Sequence, residues 1–181
     1  SADETLTVHP NSATFERPGI QVHVADTVRV VASGGGGRDV AHLHGSSGPD
    51  TYTGTETYGR LVGEGFFEKA SGFSELHVHM LDGDDVARVY DSPGDDNLTA
   101  DPHQATLTCP EVTHHVESYR ELHAFASEGN DSAALADDLR HRRHAHGAHA
   151  HVVHDGELEH AAVEEALPRR RILGDHLAGL L

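Results

Sequence analysis

The chain has no tryptophan and only one cysteine, one methionine and five phenylalanines in 181 residues, and each shortage excludes something. With no tryptophan and only two isoleucines, Ile20 and Ile172, a thick globular core is not available, so the interior must be thin and built from small aliphatics. Cys109 has no partner for an internal disulfide, and its place before Pro110 marks a packed or turn position. Lysine is nearly absent: Lys69 stands alone among 13 basic residues set against 30 acidic ones, for a net charge of -17. A field of that sign repels phosphate backbones and anionic surfaces, so nucleic acid is not an expected partner despite the run Arg169-Arg170-Arg171. No apolar run approaches the ~20 residues a spanning helix needs, so no membrane insertion is expected. The acidic, lysine-poor composition fits a salty or cation-rich exterior. The start at Ser1 raises the expectation of a processed or excised piece of a larger precursor.

What the chain does have is 19 glycines and an internal period. A Gly-x-Asp-x-apolar unit begins at Gly37, Gly48, Gly83, Gly94 and Gly129, with steps of 11, 35, 11 and 35. Two units per period give three copies of 46 residues, 2–47, 48–93 and 94–139, and a fixed period of this size is the mark of a stacked repeat architecture. Alternation of small apolar and polar residues marks strands between Gly, Pro, Asp and Ser clusters. In this register Ala41/Leu43, Ala87/Val89 and Ala133/Leu135 are expected to stack as one interior ladder. Val30/Ala32, Leu76/Val78 and Leu122/Ala124 would form a second, and Ile20/Val24, Phe66/Ala70 and Val112/Val116 a third. The fold class that follows is all-β, a short parallel β-solenoid over 2–139, with propeller-like blades as the alternative. Three copies are too few to close a propeller. Residues 140–181 are read as a His-rich segment and a C-terminal helical cap, with helical patterns over 133–140 and 157–167. The apolar end 172–181 calls for a partner surface.

Two phrases carry a resemblance. Arg88-Val89-Tyr90-Asp91-Ser92-Pro93-Gly94-Asp95-Asp96 and Gly63-Glu64-Gly65-Phe66-Phe67-Glu68-Lys69-Ala70-Ser71-Gly72-Phe73 resemble the "LYDSPGDD" and "GxGFYNxAxGFD" repeats of large secreted and surface proteins of planctomycetes and related environmental bacteria. The likeness covers residues 26–135. It implies an exported, repetitive β-rich module and no catalytic residues. The first and third copies depart from it, with Gln21-Val22-His23 and Thr113-His114-His115 in place of the Phe-Tyr-Asn-like segment. A weaker similarity links Gly34 to His42 with RTX-type nonapeptides, which implies calcium at repeat aspartates such as Asp82, Asp84, Asp85, Asp91, Asp95 and Asp96. The competing reading is an aspartate that ties down a turn before each strand.

Histidine is the sharpest chemical signal, with 18 residues. Strand alternation puts His42 with His44, and His77 with His79, on common outward faces. His23 and His115 share another outward register with Lys69. The tract His141, His144, His146, His149, His151 and His154 spaces imidazoles so that several reach one ion. Imidazole suits Zn, Cu or Ni, and non-covalent haem is a further possibility for these residues. No nucleophile elbow, phosphate loop or His-Glu-x-x-His is present, so no catalytic residue is assigned. The sequence therefore ranks first an extracellular or cell-surface structural module, assembled with other protein chains of a surface complex or filament or with copies of itself. A metal- or haem-binding accessory protein comes second, and a polysaccharide-active solenoid enzyme third.

Overall fold

The computed structural model describes residues 2–136, 149–154 and 157–159, and every regular element among them is a strand. Each repeat supplies five. The first gives β1 (Thr5–His9), β2 (Ser12–Arg17), β3 (Ile20–Ala25), β4 (Arg29–Ser33) and β5 (Val40–His44). The second gives β6 (Thr51–Thr55), β7 (Tyr58–Gly63), β8 (Phe66–Ser71), β9 (Glu75–His79) and β10 (Val86–Tyr90). The third gives β11 (Asn97–Ala100), β12 (Gln104–Thr108), β13 (Thr113–Glu117), β14 (Glu121–Ala126) and β15 (Ser132–Leu135). Two further strands follow, β16 (His149–His154) and β17 (Glu157–Glu159).

The first three strands of each repeat form an antiparallel meander, and the fourth and fifth cross between two sheets. One sheet runs β15-β11-β12-β13-β9-β5-β1-β2-β3 and the other β17-β16-β14-β10-β6-β7-β8-β4. Successive meanders therefore fall in alternate sheets, and the middle of each sheet is a parallel stack, β1-β5-β9-β13 facing β6-β10-β14-β16. This is a parallel β-solenoid widened by hairpins, with a thin core between the sheets whose largest fully buried apolar side chains are Leu43, Tyr52, Leu61, Leu76, Met80 and Leu122.

The stack advances in a different register from the one the repeat implies. Thr5 pairs with Val40 and Val40 with Glu75, and Thr51 pairs with Val86 and Val86 with Glu121, so these levels each add 35 residues, whereas the step from β9 to β13 pairs Glu75 with Thr113 and adds 38. Ala41 accordingly lies between Leu6 and Leu76, Ala87 between Tyr52 and Leu122, and Ala133 beside Leu98. The expected ladder of Ala41, Ala87 and Ala133 does not exist, because one whole repeat carries the chain to the opposite sheet. The inward faces are as expected for Ala41/Leu43, Ala87/Val89, Leu76/Val78 and Leu122/Ala124, all buried. Ile20 and Val24 differ: they remain 44% and 47% exposed at the open end of the stack.

The two intervals of the Gly-x-Asp unit now have a physical meaning. Asp39, Asp85 and Asp131 use Oδ1 to accept the backbone N–H of Glu4, Asp50 and Asp96, each 35 residues earlier, at 2.8, 2.8 and 3.1 Å. Gly83 and Gly129 (φ 148° and 145°) sit so close to the carbonyls of Gly48 and Gly94 that a Cβ would lie 2.6 and 2.1 Å from those oxygens. The intervening Asp50 and Asp96 instead tie a local turn, accepting from the N–H of Ser46 and Ser92 at 2.6 and 3.1 Å. One set of aspartates thus fastens coil to coil and the other fastens each turn. Burial pushes the Asp85 carboxyl up to about 6. Asp85→Ala is expected to cost about 2 kcal/mol in chemical denaturation, whereas Asp85→Asn, which keeps the acceptor and sheds the charge, loses less than half of that.

The C-terminal helix is corrected where the structure describes it. Residues 132–135 form a strand because they pair in parallel with β11, and 157–159 form a strand against β16. The remainder of the expected helical cap, and the apolar end 172–181, lie outside the described residues.

Candidate functional site

Strand alternation and the parallel register of β1-β5-β9-β13 together build one chemically distinct surface. With Leu6/Val8, Ala41/Leu43, Leu76/Val78 and His114/Val116 turned inward, the residues between them face out from the first sheet. Parallel pairing aligns Thr7, His42, His77 and His115 in one row. His44, His79 and Glu117 form a second, which His9 joins. The rings stack along each row, with centroids 4.3 Å apart for His9–His44, 4.8 Å for His44–His79, 4.9 Å for His42–His77 and 4.6 Å for His77–His115. These are the strand spacing itself, and interplanar angles of 14° to 19° keep the faces parallel. His42 also reaches diagonally to His79 at 6.2 Å.

Packed this closely, His42, His44 and His115 resist protonation. His44 is pushed down to about 4 by desolvation and by its neighbours His9, His79 and His42, and His42 and His115 are lowered for the same reasons. The rows are anchored at their ends: His79 Nδ1 lies 3.0 Å from Glu117 Oε2, and His115 Nδ1 lies 3.1 Å from Thr106 Oγ1. In the middle, Glu75, His77 and His115 bring one ligand atom each within 4.8 Å of one another. Arg38 grips Glu75 Oε1 through Nε at 3.0 Å and Nη2 at 2.5 Å, which holds this carboxyl below its usual range. Glu75 Oε2 turns toward His77 Nε2, 3.5 Å away.

The candidate ligands read from the sequence therefore divide. His42, His44, His77 and His79 share this face. His149, His151 and His154 belong to β16 in the other sheet, and His141, His144 and His146 lie outside the described residues. His23 pairs with Thr14 Oγ1 at 3.1 Å near the sheet edge. Glu75, His9 and the ligand role of His115 were not legible, because the 46-residue register places His77 over His123 and not beside His115. The shorter interval between Gly-x-Asp units, 35 residues, was the available signal for His9, which stacks on His44, but not for His115, which lies 38 residues after its neighbour His77.

A third-repeat histidine has another role. His114 is buried, with Nε2 3.0 Å from the Thr55 carbonyl and Nδ1 2.7 Å from the Tyr52 hydroxyl. A carbonyl accepts only, so Nε2 carries the proton and Nδ1 accepts from Tyr52, a neutral imidazole; burial pushes its pKa down to about 4. Gly54 and Gly59 make room, since a Cβ there would lie 2.9 Å from His114 Nδ1 and 2.6 Å from the Tyr52 hydroxyl oxygen. Gly59→Ala is expected to lower the melting temperature by roughly 5–10 °C in a calorimetric scan, as the overpacked hydroxyl must leave its partner.

The acidic positions do mainly hydrogen-bonding work. Asp91, Asp96 and Asp131 bring carboxylate oxygens within 4.8 Å. Asp91 accepts from Ser127, Asp96 from Ser92, and Asp131 from Asp96, all through backbone N–H groups. Cys109 is buried beside Asp96, and both burial and that carboxylate push its thiol pKa up, which suits packing and not reactivity. Comparison with known proteins gave no match to any family model, any curated protein or any solved structure.

Proposed function

We propose that the chain is a structural assembly module of an extracellular or cell-surface complex, and that it stacks end to end with a second copy of itself. The observation that carries this reading is the uncovered end formed by β3 and β4. Every residue of β3 is exposed, and Ile20, Val22, Val24, Val28 and Val31 make up five of the seven exposed large hydrophobics among the described residues.

The interior supplies the rule for what fits there. The third strand of a repeat takes the fourth strand of the preceding repeat on its outer edge, as β8 takes β4 and β13 takes β9. The fourth strand takes the preceding fifth, as β9 takes β5 and β14 takes β10. Among the described residues β3 and β4 end their sheets, so a fourth-type and a fifth-type strand are wanted. A second copy of the chain carries strands of both types, and a heterologous contact of this kind propagates into a filament. Unpaired edges with apolar flanks are the known driving element for such addition.

Sedimentation velocity over a concentration series tests it. The wild-type chain is expected to form dimers and longer species at micromolar concentration, and Val22→Lys/Val24→Lys to remain monomeric with unchanged β content. A wild-type chain that stays monomeric to its solubility limit overturns the reading.

A further inference from the structure

We infer that Glu75, His77 and His115 form a binding site for one divalent transition-metal ion of the zinc and copper class, on the outer face of the β1-β5-β9-β13 sheet. The inference rests on the geometry of that face and not on end-to-end stacking.

Two neighbouring parallel strands deliver the three ligands. Glu75 and His77 are two residues apart on β9 and so share a face, and His115 sits opposite His77 on β13. Their ligand atoms lie within 4.8 Å of one another, whereas a tetrahedral ion with bonds of roughly 2.0–2.1 Å holds its ligands about 3.3 Å apart. Side-chain rotation on a fixed backbone closes that gap, since all three groups are only half buried and border solvent.

The surroundings prepare each ligand. His115 engages Thr106 through Nδ1, which leaves Nε2 for an ion, and His77 presents Nε2 toward Glu75. Stacking of His42 on His77 and of His77 on His115 keeps the rings side by side at one height above the sheet. Arg38 occupies Glu75 Oε1 and leaves Oε2 as the ligating oxygen, so Arg38 is a positioning residue. Partners that orient ligands in this way commonly contribute ten- to a hundred-fold in affinity. Two imidazoles with one carboxylate favour borderline ions over Ca²⁺ or Mg²⁺, and three protein ligands leave a further position for water or another donor.

The test must separate this site from the histidine tract. The parent is the full-length chain, untagged and stripped with a chelator, carrying His144→Ala/His146→Ala/His149→Ala/His151→Ala. Zn²⁺ binding is read by calorimetry, and Co²⁺ binding by its visible d–d absorption. The parent is expected to bind one equivalent of Zn²⁺ and to give a Co²⁺ spectrum of low coordination number. Adding His77→Ala/His115→Ala is expected to weaken binding at least 100-fold and to abolish that spectrum, with the β circular dichroism unchanged. Glu75→Gln, which leaves every strand contact in place, gives about a ten-fold loss even if the double variant folds poorly, and Arg38→Met a similar loss. A parent that binds no Zn²⁺, or binding that survives both His77→Ala/His115→Ala and Glu75→Gln, overturns the inference. Self-association in the same samples is read separately by sedimentation, so failure of one reading leaves the other standing.

Discussion

Glu68→Met is expected to stabilise the protein by roughly 3 kcal/mol at pH 7 and by more at pH 9, with almost no gain at pH 4. Glu68 is 1% exposed, neither carboxylate oxygen has a hydrogen-bond partner, and burial together with Asp50 pushes its pKa up to about 8. A carboxyl raised in the folded state contributes its full share below the ordinary value of 4.5 and loses it as pH climbs toward 8. Histidines act in the opposite sense. His114 and His44, each lowered from 6.5 to about 4, favour the folded state above pH 6.5 and withdraw that contribution as pH falls toward 4. Between pH 7 and 5 the buried His114 withdraws about 2 kcal/mol while Glu68 returns about as much, so the wild-type profile is nearly flat there. Half-exposed His44 adds less in the same direction as His114 because solvent screens it. Removing Glu68 therefore exposes the histidine limb: the variant should lose about 2 kcal/mol on acidification from pH 7 to 5 in urea denaturation. A variant whose pH profile runs parallel to wild type would show that Glu68 titrates normally.

His114→Leu is expected to cost roughly 3–4 kcal/mol, the largest loss of any single substitution considered. It leaves the Tyr52 hydroxyl and the Thr55 carbonyl buried without partners, each worth about 1–3 kcal/mol. Tyr52→Phe alone strands Nδ1 of His114 and costs less, because a single acceptor goes unsatisfied. Combining Tyr52→Phe with His114→Leu should cost at least about 1 kcal/mol less than the sum, since the two polar groups vanish together. Strict additivity in that cycle would mean the contact is not a functioning hydrogen bond.

The strands, their inward faces and the outward direction of His42, His44, His77 and His79 were legible because alternation is a local property of the chain. Register across strands was not, because it depends on where the meander goes. Position 68 shows the limit well: the same repeat position is Val22 in the first copy, Glu68 in the second and His114 in the third. Only the fold reveals that the first is exposed, the second buried without a partner and the third clamped between Tyr52 and Thr55. The helical pattern expected over 133–140 gives way to a strand at 133–135 because Ser132, Ala133, Ala134 and Leu135 pair in parallel with β11. Glu75 escaped notice because its value lies in a neighbour on β13.

The imidazole face does not follow the period of the repeat that builds it. His42 comes from a fifth strand, His77 from a fourth and His115 from a third, so their counterparts one repeat away are Arg88, His123 and Lys69. Copying a repeat thus copies the scaffold and scatters the histidines over both outer surfaces. Such a face belongs to the stack as a whole and to no single repeat. A search for related chains that aligns repeat against repeat will average the histidines away, whereas one that compares strand neighbours, 35 residues apart for His42/His77 and His44/His79 and 38 apart for His77/His115, will find them.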